Sequence, residues 1–400
     1  MKSRSAIAAG AAALVLALAA CSGSGTPAPG ASDGGSTDPI QVGSVNALSG
    51  PAIFPEASEA ASAVFDRFNE AGGLDGRMIE YTIVDDKADP ATAAASAREV
   101  VESNESVALV GSASLLDCEI NGEYYVQQDI LSIQGTGVDQ VCFDNPNISP
   151  VNVGPFGDTT LTLLYGSEVL GLENICGLLE VVGGTQPAYE AAIAEWTELT
   201  GNELLYLDDT VPYGGSDYTP YIVRAKEAGC DAVYSNAVEP DGLAQIKAAE
   251  AQGWTDVTFL YLTSVYSEQF ASAVTAAGSG VFVPAEFAPF SDDSITVNED
   301  WRSLMEENDI SLTSFSQGGY LAATYFIEVL EGIEGEITRA SVNEALRGMT
   351  EPIANEMVGT PWIFGDAETH NSNRAGWPVS LSSNAGVWET AADEWLLLDQ

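Results

Sequence analysis

Residues 79–111 read IEYTIVDDKADPATAAASAREVVESNESVALVG. Ile79 to Asp85 is a short run rich in β-branched and aromatic residues, Ala91 to Ser103 is alanine-rich with a helical period, and Val107 to Gly111 is a second short apolar run. Parallel strands need a crossover of about a dozen residues, most often a helix. The stretch therefore predicts a strand–helix–strand unit with parallel strands. The same alternation continues outward, with strands expected at Ile40 to Val45, Ile130 to Gln134, Ile175 to Val182, Leu204 to Leu207, Asp231 to Ser235 and Val257 to Leu262. Helices fill the gaps, which argues for an α/β architecture of parallel sheets covered on both faces. The series pauses at Asn145-Pro146-Asn147 and Ser149-Pro150 and restarts near Asp158, so two similar halves are expected. A helical stretch from Trp301 to Met349, then strand-like runs at Trp362 to Phe364, Trp377 to Leu381 and Trp395 to Leu398, breaks the alternation. These are expected to cross back between the halves and close with a hairpin whose turn is the polar segment Asp366 to Arg374.

Upstream of the first strand the composition changes twice. Residues 1–20 carry Lys2 and Arg4 as their only charges, then an apolar run from Ala6 to Ala20, the pattern of a secretory leader. Leu18-Ala19-Ala20-Cys21 resembles the lipobox cut by the bacterial lipoprotein peptidase, which implies acyl chains on Cys21 and stable anchoring by more than one chain. Residues 21–39 are rich in glycine, serine, proline and threonine, a flexible tether with too little apolar surface to pack. No second apolar run approaches the length of a membrane span.

The formal charge is −46, and loss of Lys2 and Arg4 with the leader takes it to −48. Nucleic acid is excluded as a partner by that sign. Four cysteines remain after Cys21, an even number in an oxidising compartment. Of the three possible pairings, Cys118 with Cys142 and Cys176 with Cys230 keeps each bond within one half. No metal site is expected, because no Cys-x-x-Cys occurs and His370 is the single histidine.

The order of motifs resembles the type I periplasmic binding proteins, in particular the branched-chain amino acid group of solute receptors for ABC importers. Ile40-Gln41-Val42-Gly43 leads to Leu48-Ser49-Gly50-Pro51, similar to that group's first strand and turn. Phe68-Asn69-Glu70-Ala71-Gly72-Gly73-Leu74-Asp75-Gly76-Arg77 resembles its Asn-x-Ala-Gly-Gly-x-x-Gly-Arg segment, and Asp85-Asp86-Lys87-Ala88-Asp89-Pro90 its Asp-Asp-x-x-Asp-Pro. Ala228-Gly229-Cys230-Asp231-Ala232-Val233-Tyr234 and the helix Gln245 to Gly253 follow in the same order. The resemblance implies two Rossmann-like lobes joined by a hinge, residues 40–154 with 288–350 and residues 155–287 with 351–400. It also implies a monomer without cofactor that captures a solute between the lobes and presents it to an ABC-transporter permease. The lipid anchor would hold it on the outer face of the cell membrane, as a cell without a retaining outer compartment requires. The same lobes could instead report occupancy to a signalling partner.

The resemblance also implies a set of ligand-binding residues. Ser114 and Leu115 fall on the family's serine-rich turn after the third strand, with leucine where amino acid binders use a second serine. Gln134, Thr136 and Gly137 fall on the turn after the next strand, and Phe54 where family members place an aromatic residue near the solute. In the second half, Val238 or Glu239 stands where a tyrosine is frequent, and Thr263 where amino acid binders carry the acid that pairs the ligand ammonium. A buried ammonium without that partner loses about 3 to 5 kcal/mol, so a solute other than a plain branched-chain amino acid is expected. Tyr206, Tyr213, Tyr266 and Phe290 are further aromatic candidates, and Ser114 with Asp117 also fits a helix cap.

Little argues for an enzyme. No strand-to-helix turn carries a Gly-x-Ser-x-Gly elbow, and neither a phosphate-binding Gly-x-x-x-x-Gly-Lys-Ser/Thr loop nor a His-Glu-x-x-His pair occurs. A surface hydrolase would have to build its base on His370, expected in an exposed turn.

Overall fold

The strand–helix–strand unit at 79–111 is one repeat of a parallel sheet in the computed structural model, which describes residues 38–50, 53–274, 280–381 and 386–398. That sheet contains β1 (Ile40–Asn46), β2 (Ile79–Asp85), β3 (Ala108–Ala113), β4 (Ser132–Thr136) and β5 (Ile148–Pro150), ordered β2-β1-β3-β4-β5. All its pairings are parallel. Every residue of β3 and β4 is buried, as central strands must be when helices cover both faces.

The second sheet contains β6 (Ile175–Glu180), β7 (Tyr206–Val211), β8 (Ala232–Ser235), β9 (Thr258–Tyr261) and β10 (Val281–Ala285). Three late strands complete it: β11 (Ala375–Leu381), β12 (Glu389–Thr390) and β13 (Leu396–Leu397). Its order is β12-β11-β10-β9-β8-β6-β7, with β13 also paired to β11. β11 runs antiparallel to β10, so the late segment closes one edge.

Three segments carry the chain between the sheets. The first follows β5, and the second follows β10. It leads to the helices Glu299–Glu307, Ser314–Glu331 and Arg339–Arg347, of which Ser314–Glu331 packs on the helix Pro55–Glu70 and on β3 and β4. The third enters β11. Side chains lace the three together: Asn152 Nδ2 donates to Glu286 Oε1 at 3.0 Å, and Asn373 Nδ2 donates to Glu286 O at 3.0 Å and Val151 O at 3.3 Å.

The helix Ser314–Glu331 begins with a capping box made by Thr313 and Ser316. It approaches the first sheet closely because Gly318 and Gly319 carry no Cβ. A Cβ on Gly318 would strike the Gly135 carbonyl oxygen, and one on Gly319 the Ala57 carbonyl oxygen. The helix Arg339–Arg347 is held by its first residue, whose guanidinium donates to Ser106 O at 2.8 Å and Val101 O at 2.9 Å. Cys118 bonds Cys142 and Cys176 bonds Cys230, with Cα separations of 5.1 and 5.9 Å. Each disulfide joins elements of one sheet and its helices.

The stretch from Trp301 to Met349 is helical as expected, in three helices. Several other expectations are corrected. Trp362 forms only an isolated bridge with Ile353, and the segment from Asp366 to Arg374 precedes the closing strands instead of turning between them. His370 is buried, its ring 4.6 Å from that of Phe364, with Nδ1 3.1 Å from Asn145 O. Burial lowers its pKa and keeps it neutral. β5 and β10 were not expected, since prolines at 150 and 284 interrupt the strand pattern. The leader, Cys21 and most of the tether lie outside the described residues. Among those described, no helix is long and apolar enough to cross a membrane.

Candidate ligand-binding site

Loops at the carboxyl ends of both sheets enclose a cavity of about 150 Å³. This is comparable to an engineered apolar cavity that takes up benzene, and crevices beyond strand ends are where open α/β sheets bind ligands. Leu115 follows β3, Thr136 ends β4 with Gly137 and Val138 after it, and Phe54 precedes the helix Pro55–Glu70; all line this cavity. From the other sheet come Glu180 at the end of β6 and Val182 after it, Val238 after β8, and Leu262 and Thr263 after β9. Phe54 and Phe315 form an aromatic wall, their ring centroids 4.9 Å apart. Across the cavity, Thr263 Oγ1 lies 3.0 Å from Ser314 Oγ, joining a loop of the second sheet to a helix packed on the first.

Of the residues expected at the site, Phe54, Leu115, Thr136, Gly137, Val238 and Thr263 line the cavity, and Ser114, Gln134 and Glu239 do not. Ser114 is used locally: its Oγ donates to the Asp86 carboxylate and accepts the backbone N–H groups of Leu116 at 2.9 Å and Asp117 at 3.0 Å. Gln134 is buried with Nε2 donating to Asp117 Oδ2 at 3.1 Å and Ser132 Oγ at 3.0 Å. Glu239 accepts from Ser267 Oγ at 2.7 Å. Among the aromatic candidates Tyr213 lines the cavity, whereas Tyr266 and Phe290 pack on each other in the core and Tyr206 donates to Asp208.

Three carboxyls that the sequence reading did not single out also line it: Asp158, Glu180 and Glu286, at 0, 3 and 3% exposure. Thr263 carries no carboxyl, and these three stand on other elements that line the same cavity. Thr263 itself serves one of them, its backbone N–H donating to Asp158 Oδ2 at 2.8 Å. Glu286 Oε1 accepts Gly154 N at 2.7 Å in addition to Asn152. Glu180 Oε1 accepts Gln245 Nε2 at 3.1 Å. Burial pushes Glu286 up to about 7. Burial and then the neighbouring Asp241 push Glu180 up to about 9. Asp158 is raised by burial and by the charge of Glu286.

A largely apolar cavity between two α/β sheets, with a few converging polar groups, defines a protein built to hold a small molecule. The chain belongs to the periplasmic binding protein family, whose model matches residues 39–386. An amino acid binding protein of Pseudomonas aeruginosa is 23% identical over 292 residues, which span 70% of this chain and 72% of that protein. Among solved structures, the branched-chain amino acid transporter substrate binding protein LivJ of Streptococcus pneumoniae, in complex with isoleucine, superposes with a TM-score of 0.75. It is 16% identical, and the match covers 90% of this chain and 99% of that one. A fatty acid ABC transporter substrate-binding protein of Thermomonospora curvata gives a TM-score of 0.72 at 18% identity, over 90% and 94% of the two chains. These relatives are binding proteins rather than enzymes.

Proposed function

We propose that this chain is an extracytoplasmic receptor that captures a small solute in the cavity between its sheets and delivers it to the permease of an ABC importer. The observation that carries the reading is the cavity itself, placed at the carboxyl ends of both sheets and spanned by the Thr263–Ser314 contact. Residues 40–154 with 288–350 act as one lobe and residues 155–287 with 351–400 as the other, with the three laced crossings as the hinge. Solute favours the closed form to the extent that it binds that form better, and the closed form docks on the permease. Phe54, Leu115, Thr136, Gly137, Val238 and Thr263 contact the solute. Cys21 carries the lipid that holds a monomeric receptor at the outer face of the membrane.

Relatives named for an amino acid and for a fatty acid share this fold, so the fold leaves the solute open. The test is a thermal-shift screen against a solute library, followed by uptake of the best hit in cells with and without the gene. A hit whose uptake falls in the deletion strain supports the receptor; unchanged uptake overturns delivery to an importer. Metabolic palmitate labelling that is lost in Cys21→Ala checks the anchor.

A further inference from the structure

Each side-chain amide around the cavity donates within the protein. Asn152 Nδ2 donates to Gly137 O at 3.1 Å and to Glu286 Oε1, and Asn236 Nδ2 donates to Glu180 O at 3.2 Å. Thr185 Oγ1 and Ser264 Oγ donate to backbone carbonyls. Among the described lining residues there is no lysine, arginine or histidine. Acceptors, in contrast, are left over. Asp158 Oδ1 and Glu180 Oε2 are buried without a hydrogen-bond partner, on side chains that line the cavity and are at most 3% exposed. An unpaired buried acceptor is costly, and more so when charged. Thr136, Tyr189 and Tyr213 bring hydroxyls that can donate or accept, and the ionised carboxyls, which only accept, favour a ligand that carries donors.

We infer that the solute is a small organic cation, an apolar body bearing an ammonium or amidinium group whose N–H donors are taken by Asp158 and Glu286, with Glu180 serving a second donor. This rests on the solute-receptor reading and names its substrate class. Phe54, Leu115, Val138, Leu262 and Phe315 supply the apolar enclosure. Burial raises all three carboxyls, which favours the protonated form of each before a cation arrives. Binding then ionises a carboxyl, the ligand N–H bonds to the carboxylate oxygen, and the displaced proton goes to water. The groups facing Asp158 are Glu286 and the phenols of Tyr189 and Tyr234. Those facing Glu180 are Asp241 and the phenols of Tyr189, Tyr213, Tyr218 and Tyr261. Each of these phenols is raised by burial and remains neutral below pH 10, so no positive charge competes with the ligand.

The test uses the purified full-length protein and two matched series by calorimetry: 3-methylbutylamine, leucine and 4-methylpentanoate, then benzylamine, phenylglycine and phenylacetate. A thermal-shift screen of amines, amidines, amino acids, acids and neutral solutes runs in parallel. The expected result is that the tightest ligands carry a positive charge and no carboxylate. Their affinity should rise about tenfold from pH 6 to pH 8.5, the factor for one carboxyl titrating near 7, with proton release measured in two buffers of different ionisation heat. Asp158→Asn and Glu286→Gln, each checked for an unchanged circular dichroism spectrum, should lose at least that tenfold for amines and flatten the pH dependence. Should either variant misfold, the wild-type charge ranking and proton count still decide. Tightest hits that are zwitterionic, neutral or anionic, or affinity that falls as pH rises because protonated carboxyls donate to the ligand, overturn the cation assignment alone. No hit in any charge class overturns the solute-receptor reading with it.

Discussion

Ser114 is a hydroxyl expected at the site and used by the fold instead. It holds two backbone N–H groups and the buried Asp86, and it does not line the cavity. Ser114→Ala should therefore lower stability by about 1 to 3 kcal/mol, the cost of leaving a buried acceptor unpaired, while solute affinity is unchanged. Urea denaturation and calorimetry measure the two, and an affinity loss without a stability loss would return Ser114 to the site. Glu180 makes the complementary case. Its ordinary value of 4.5 is raised to about 9 in the folded state, so between those values the folded chain holds a proton that the unfolded chain has released. Stability must fall as pH rises through that window. Without ligand, Glu180→Gln should be close to wild type in urea midpoint at pH 5 and more stable at pH 8.5; an equal effect at both pH values would show the carboxyl to be unperturbed. The apolar lining was legible because Phe54, Leu115 and Thr136 sit at fixed offsets from turns with recognisable sequence. The carboxyls were hidden among 59 acidic residues, although Glu180 and Glu286 each stand at the end of a short apolar strand, where a solvated charge is out of place.

At the scale of elements, periodicity located what is local and missed what depends on neighbours. β1 and β2 fall where the apolar runs place them, and Gly201 and Gly229 end their helices in left-handed conformation, as glycine does there. β10 was missed because Pro284 breaks the strand pattern. The proline is tolerated there because it lies beyond Val281 and Phe282, the residues that pair with β9, and stands opposite Pro378 of β11, which arrives from much later in the chain and needs no N–H from it. Nothing within a local window reveals that partner. His370 was expected in an exposed turn for the same reason, since its burial depends on Phe364 and on the loop at Asn145. The approach of the helix Ser314–Glu331 to the first sheet gives a test. In an exposed helix, replacing glycine by alanine gains about 1 kcal/mol. At Gly319 the added methyl meets the Ala57 carbonyl oxygen, and overpacking costs about 1 to 3 kcal/mol or more. The packing term should win, so Gly319→Ala lowers stability while Gly184→Ala, with open space around its Cβ position and no left-handed backbone, does not share that clash. A Gly319→Ala variant as stable as wild type in urea would mean that the helix can shift away from the sheet without loss.

Over the whole molecule, 59 acidic residues face 13 basic ones, and five of the arginines are already engaged. Arg67, Arg224, Arg302, Arg347 and Arg374 all lie within ion-pair distance of a carboxylate. Pairs such as Arg67–Asp300, both well exposed, contribute roughly 0 to 1 kcal/mol and cannot offset the repulsion among the remaining acids. That repulsion acts at range and is the part that salt removes: the screening length falls from about 10 Å at 0.1 M to about 3 Å at 1 M. The melting temperature should therefore rise with sodium chloride over that interval, and a flat or falling curve would mean that self-repulsion does not limit this fold. The same field bears on an incoming cation in the opposite sense, because a strongly negative surface accelerates its encounter with the cavity. Salt should slow association of a cationic solute several-fold. It should leave dissociation nearly unchanged, because Asp158 and Glu286 are buried and the contacts that hold the ligand are poorly screened. Stopped-flow rates at the two salt concentrations separate these effects. A dissociation rate that rises as steeply as association falls would place the attracting carboxylates at the surface and not in the cavity.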